Sequence, residues 1–191
     1  WTTMTVSGCS HFLPSLEGRS MSRALDQKTV NRTRLGQVSA QLVSRHARSG
    51  NSGIHPLPAP GNALAVRLQL VQTAQRSLDV QYYIWRADVS GFLLLHELFQ
   101  AAERGVRVRL LLDDNGISGL DDILIALNHH PRIEVRLFNP FTLRHPKWIN
   151  YLTDFTRINR RMHNKSFTAD NAVTIIGGRN IGDEYFGVTH Q

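Results

Sequence analysis

An α/β sandwich, with a mixed sheet flanked by helices, follows from two observations on this chain. Between residues 62 and 138, segments of helical period alternate with short apolar runs, the pattern of successive βα units. Between residues 163 and 176, two extended runs meet at Asp170-Asn171, the signature of a hairpin. The sheet is therefore expected to be parallel through the units, with the hairpin added to it.

Residues 10–61 are rich in Ser, Arg, Gly and Pro, lack a sustained period and end in SGNSGIHPLPAPG, so they read as leader and linker with a short helix over 34–45. Asn62 is placed to cap a helix that runs to residue 76 with Leu64, Leu68 and Val71 on one face, and a strand over 78–85 follows. Ser90 opens a second helix carrying Leu94, Leu98 and Ala101; Gly105 stops it, and 106–112 is a strongly apolar strand. Asp113-Asp114 stand at its carboxyl end, where α/β sheets place ligands, although paired acids in a turn are expected to be solvated. A helix over 120–127 leads into a strand over 133–138. Trp148, Tyr151, Leu152 and Phe155 then recur at helical spacing before Arg157, Arg160 and Arg161. Aromatics beside arginines suit a membrane interface with anionic headgroups, and equally a packing helix with a basic outer side.

With 191 residues and 41% apolar side chains, one domain of about 130 residues with its own core is feasible. The net charge of +7 points at first to nucleic acid, but it is unevenly placed. Up to residue 60, seven Lys/Arg face two Asp/Glu; from 61 onward fifteen face thirteen. A protein that tracks a phosphate backbone concentrates basic charge on its working face, so nucleic acid is the less favoured partner. The nine histidines show no metal-ligand spacing, and His129-His130 reads as a helix end. No apolar run reaches the length of a spanning helix.

The chemistry is concentrated in residues 162–187, MHNKSFTADNAVTIIGGRNIGDEYFG. On an extended strand His163 and Lys165 point the same way, with Phe167 next along that face, so a nucleophile and a fixed positive charge share one surface. A second strand over 172–176 delivers Gly177, Gly178 and Asn180 nearby, and glycines let backbone approach a phosphate closely. Displacement at a phosphodiester needs an in-line nucleophile, neutralised equatorial oxygens and a proton for the departing alkoxide. Neutral imidazole can attack phosphorus and later be displaced, which makes His163 the candidate nucleophile. Lys165 and Asn180 are the candidates to hold the non-bridging oxygens.

The spacing H-x-K-x-x-x-x-D at His163, Lys165 and Asp170, followed by Gly177-Gly178-Arg179-Asn180, closely resembles the hallmark of the phospholipase D superfamily, complete over eighteen positions. LDVQYYIW at 78–85, AAERGVRVRLLLDD at 101–114 and IEVRLFNP at 133–140 resemble the amino-terminal half of bacterial cardiolipin synthase-like members, so the likeness covers residues 62–187. It implies a phospholipase D-like α/β sandwich half over 62–191 and a structural role for Asp170 in fixing the turn. It also implies phosphatidyl transfer between phospholipids without metal or other cofactor, through a phosphohistidine. The general acid would be the His of a second motif, from a second half-domain in cis or a homodimer partner. His145-Pro146-Lys147 is not that motif, because Leu152 stands where Asp is required. The family's carboxylate partner for the nucleophile falls at or past residue 191; Asp183 and Glu184 are nearer, but are expected to be solvated loop residues. Hydrolysis by a phospholipase or dimeric nuclease, and a silent lipid-binding module, are the competing readings.

Trp1 is not an initiator methionine, and Val6-Ser7-Gly8-Cys9 resembles a bacterial lipobox. In that reading residues 1–8 are a signal-peptide remnant and Cys9, the single cysteine, is the lipidated residue; an unstructured leader with a lone Cys is the alternative. The expectation is a chain clipped at both ends, from a protein of the bacterial cell envelope that works at a membrane surface.

Overall fold

The computed structural model describes residues 21–46, 53–144 and 146–188. Five strands form one sheet in the order β3-β2-β1-β4-β5. β1 (Ser77–Tyr82), β2 (Arg107–Asp113) and β3 (Ile133–Phe138) are parallel. β4 (Lys165–Ala169) lies antiparallel to β1, and β5 (Val173–Ile176) antiparallel to β4. The expected mixed α/β sheet, with parallel units extended by the motif hairpin, is the observed one.

The turn of that hairpin is chemically determined. Asp170 and Asn171 both take positive φ, 51° and 53°, and the amide of Ala172 donates to the carbonyl of Ala169 at 3.0 Å. Left-handed backbone at both central residues defines the two-residue turn whose twist matches a hairpin, and Asp and Asn tolerate it best after glycine.

Several element ends differ from the sequence expectation, each for a visible reason. Helix α3 (Pro60–Thr73) starts before Asn62, because Pro60 has no amide to satisfy and a φ preset for the first turn. It stops at Thr73 rather than 76, because the amides of Gln75, Arg76 and Ser77 all donate to the Asp170 carboxylate. β1 ends at Tyr82 rather than 85; beyond it the Trp85 amide donates to Gly116, and Ile181 bridges to Trp85. Asp88, not Ser90, caps α4 (Val89–Glu103), accepting from the Gly91 amide at 2.9 Å. Gly105 stands past the end of α4 at φ 94°, as a helix stop requires. α5 (Asp121–Asn128) precedes β3, whose limits match the expected strand.

One face of the sheet is apolar. Leu78, Val80 and Tyr82 of β1, Val108, Leu110 and Leu112 of β2, and Phe167 and Ala169 of β4 are buried with Val71 of α3 and Leu94, Leu95 and Leu98 of α4. The other face carries Asp79, Gln81, Arg109, Glu134 and Arg136, with ion pairs Arg109–Asp79 and Arg136–Glu134. Alternation of side chains across each strand produces this division.

The segment expected as leader and linker is structured over part of its length. α1 (Gln27–Val30) is capped by Asp26, and α2 (Arg34–His46) follows, close to the expected helix over 34–45. Val30 and Thr33 are buried, Leu35 packs on the core, and the Arg34 amide donates to Gln75 Oε1 at 2.6 Å. Composition hid this, because the contacts are made to residues more than forty positions away. No helix among the described residues is long and apolar enough to cross a membrane.

Candidate active site

The carboxyl ends of β1, β2 and β3 lie along one edge of the sheet, and β4 begins there running the other way. Lys165 opens β4 opposite Tyr82. His163 precedes the strand by two residues, is exposed, and stacks on Tyr83 with ring centroids 4.3 Å apart and planes at 27°. Lys165 Nζ donates to the His163 carbonyl at 3.1 Å and stands 5.5 Å from the centre of the Tyr83 ring. The imidazole and the ammonium therefore share one surface, and the same face of β4 continues inward through buried Phe167. Partial burial pushes the Lys165 pKa below its ordinary 10.5. Among the described residues no hydrogen bond engages the imidazole nitrogens of His163, so stacking alone orients the ring.

Asn180 reaches the same edge from beyond β5. It is buried; its Oδ1 accepts from the Ile84 amide at 3.2 Å and its Nδ2 donates to the Tyr185 hydroxyl at 3.2 Å. A carboxamide nitrogen carries two hydrogens, so one remains for a further acceptor. Gly177 and Gly178 are exposed, and a Cβ at either would meet no heavy atom within 4 Å. No packing contact of the described chain requires glycine there.

The structure separates Asp170 from this group. It lies just past the far end of β4, roughly 16 Å of extended chain from Lys165. Its carboxylate accepts from Gln75 N at 3.0 Å, Arg76 N at 2.7 Å and Ser77 N at 3.0 Å, while its own amide donates to the Ser77 carbonyl at 2.8 Å. Asp170 therefore ties the hairpin to the start of β1.

Three expectations about charged residues are corrected. Asp113 and Asp114 are fully buried rather than solvated. Asp113 accepts from the Met162 amide at 2.8 Å and pairs with Arg161 at 3.0 Å; Asp114 accepts from the Phe141 amide at 2.7 Å and pairs with Arg144 and Lys147. They act as internal clamps on the connection that leads to His163. Asp183 is likewise buried, accepting from the Ser90 amide at 2.8 Å at the start of α4, whereas Glu184 pairs with Arg86 at the surface. The arginines after the aromatic segment divide: Arg157 binds Asp154, Asn139 and the Pro140 carbonyl, Arg161 binds Asp113, and Arg160 is exposed.

The aromatic segment itself is not a packing helix. It breaks at Asp154 into α6 (Ile149–Thr153) and α7 (Phe155–Ile158), leaving Trp148 62%, Leu152 77% and Phe155 58% exposed. Residues 1–8, Cys9 and His145 lie outside the described residues.

Sequence reasoning missed Tyr83, Tyr185 and the clamp role of Asp113. Tyr83 carried one usable signal: it ends the apolar alternation of β1 with an aromatic that does not belong to the buried face. Asp113 and Tyr185 act through contacts to residues 161–162 and 180, and only the folded chain brings the first of these into reach.

Comparison with known proteins agrees with this architecture. Cardiolipin synthase C of Escherichia coli (strain K12) is 58% identical over 158 residues, covering 83% of this chain and 33% of that protein. Cardiolipin synthase of Oceanobacillus iheyensis is 32% identical over 124 residues, 65% of this chain and 24% of its own length. The chain thus spans about a third or less of the length of these curated relatives. The solved structure of NucT from Helicobacter pylori superimposes with a TM-score of 0.50 at 16% identity, covering 66% of this chain and 72% of that one, a likeness of fold. Residues 68–190 match the family described as cardiolipin synthase, PLD-like domain. That match takes in all five strands and the carboxyl-terminal part of α3, and it places this chain in the phospholipase D-like domain family of the cardiolipin synthases.

Proposed function

We propose that this chain supplies one half of an active site for metal-independent phosphatidyl transfer between phospholipids. The observation that supports it best is the surface made by His163 and Lys165: an exposed imidazole lying on Tyr83, with a partly desolvated ammonium beside it. A ring nitrogen of His163 attacks the phosphorus of the donor diester as the bond to the departing alkoxide breaks, giving a phosphohistidine. The alkoxide takes its proton from a second histidine, supplied by a second half-domain in cis or by a homodimer partner. The hydroxyl of the acceptor lipid then attacks the same phosphorus, returns its proton to that histidine, and frees His163. Lys165 and the remaining amide hydrogen of Asn180 hold the non-bridging oxygens, and the open space beside Gly177 and Gly178 admits the phosphate. Asp170 stays structural. Identity of 58% to a cardiolipin synthase over most of the chain supports transfer over hydrolysis. The site would work at the bacterial envelope, with Cys9 as the lipid anchor.

The test uses the protein at its full natural length and a glycerophospholipid labelled on phosphorus. A base-stable, acid-labile label on the wild-type protein that is absent from His163→Ala, with transfer abolished and melting unchanged, is the expected result. Unaltered turnover in His163→Ala sinks the assignment. Appearance of free phosphatidate in place of a transferred product establishes water as the acceptor, which is the hydrolase reading. Vesicle binding that survives His163→Ala, with no turnover in either protein, establishes the silent binding module.

A further inference from the structure

We infer that the α6–α7 segment is the surface by which the site seats itself on an anionic lipid bilayer, an inference that rests on the phospholipid reading of the site. Trp148, Leu152 and Phe155 are 62%, 77% and 58% exposed, and Tyr151 and Leu143 stand partly open among them. This is an aromatic-rich patch on two short helices, the composition of a membrane–water interface. Its charge is predominantly positive. Residues 139–164 hold Arg144, Lys147, Arg157, Arg160 and Arg161 against Asp154 alone. The acids that anchor the segment from beneath, Asp113 and Asp114, are fully buried, while the side chains of Arg144 and Lys147 remain 34% and 27% exposed. No ion pair engages exposed Arg160 among the described residues. Arg144 and Arg157 also pair with the partly exposed Asp121 and Asp154, so the patch is apolar and aromatic with an excess of cations, which complements a layer of anionic headgroups over acyl chains.

The patch is mechanically joined to the site. The Tyr151 hydroxyl donates to Asn115 at 3.0 Å, and its ring lies 5.8 Å from that of Phe141. The Arg161 guanidinium stands 4.8 Å over Phe141 and pairs with Asp113, which also holds the amide of Met162, the neighbour of His163. A bilayer that receives α6–α7 therefore meets a segment braced to the backbone that carries His163.

The experiment compares wild type with a Trp148→Ser, Leu152→Ser, Phe155→Ser variant, both at full natural length. The probes are vesicles of phosphatidylcholine with about one third phosphatidylglycerol, and dihexanoyl phosphatidylglycerol held below its micelle threshold. Removing three interfacial side chains is expected to lower vesicle binding and vesicle turnover by roughly tenfold or more, with turnover of the monomeric lipid within about twofold and melting unchanged. Arg160→Gln is expected to weaken binding to the same vesicles and to leave binding to pure phosphatidylcholine unaltered. Vesicle binding that is unchanged in the triple variant overturns the inference. So does an equal loss on both lipid forms together with lowered melting, which shows that the patch packs against protein. Loss of vesicle binding in a protein whose wild type turns over neither lipid form upholds the surface and rejects the catalytic reading instead.

Discussion

Replacing Asp170 separates the structural half of the motif from its chemical half. The carboxylate is fully buried and receives three backbone amides, from Gln75, Arg76 and Ser77. Alanine removes all three bonds, but the amides are not equally placed. Ser77 is buried, so its amide loses its acceptor outright, a penalty of about 1–3 kcal/mol. Gln75 and Arg76 are exposed, and water can replace the acceptor there, leaving a loss of about 0.5–1 kcal/mol each. The sum is roughly 3 kcal/mol, a large part of the stability of a domain this size. Asparagine retains one oxygen and tolerates the positive φ at this position, so its cost should be about half as large. At ~2–4 °C per kcal/mol, Asp170→Ala should melt about 6–12 °C below wild type by circular dichroism, and Asp170→Asn about halfway between. His163→Ala, at an exposed side chain held by stacking alone, should melt within about 3 °C of wild type and have no turnover. Two results refute this reasoning: Asp170→Ala melting with the wild type, or Asp170→Asn falling as far as Asp170→Ala.

Other perturbations follow from the same geometry. Tyr83→Leu should lower kcat by about three- to tenfold with KM little changed, because it removes the ring that orients His163, whereas Tyr83→Phe keeps the ring and should stay within about twofold; equal rates for the two variants refute a positioning role. In the proposed mechanism Lys165 acts as a cation, and its depressed pKa means that the charge is present below the folded value and lost as pH rises through it. The alkaline limb of turnover should therefore begin below pH 10.5, and Lys165→Arg, if active, should move that limb upward; a limb that stays in place assigns it to another group. The same sign makes stability rise with pH between the folded pKa and 10.5, since the unfolded chain binds the proton more tightly in that window. Gly178→Ala should leave melting unchanged, since the added carbon meets nothing within 4 Å, yet reduce turnover by crowding the phosphate. Gly91→Ala should instead destabilise, because its Cβ overlaps the Arg86 carbonyl; equal melting of the two glycine variants contradicts the packing described.

Much of this protein was legible in one dimension. The alternation of helix and strand periods over 62–138 specified the parallel units, since an apolar run of period two can be buried on a sheet and one of period 3.6 on a helix. Asp170-Asn171 specified the hairpin, because few residues accept left-handed backbone twice in succession. The offset of His163 from Lys165 led to the expectation of a shared surface, which the fold achieves although His163 lies two residues before β4, because both groups meet the Tyr83 ring. The ends of α3 and β1 were not legible: one is set by Asp170 capturing amides some 95 residues away, the other by Gly116 and Ile181.

Charge was the poorest guide. Asp113, Asp114 and Asp183 read as surface acids, yet each is buried, because arginines, a lysine or backbone amides from distant segments converge on it. The aromatic segment after residue 147 read equally as packing helix and interface, and the exposure of Trp148, Leu152 and Phe155 in the fold is at odds with the first. The sequence by itself determined which groups are candidates for the chemistry and which local elements carry them, since both depend on residue type at short spacing. The tertiary structure alone decided what holds those groups in place, because a stacking ring, a buried counter-charge and a captured amide are contacts between residues that the chain keeps far apart.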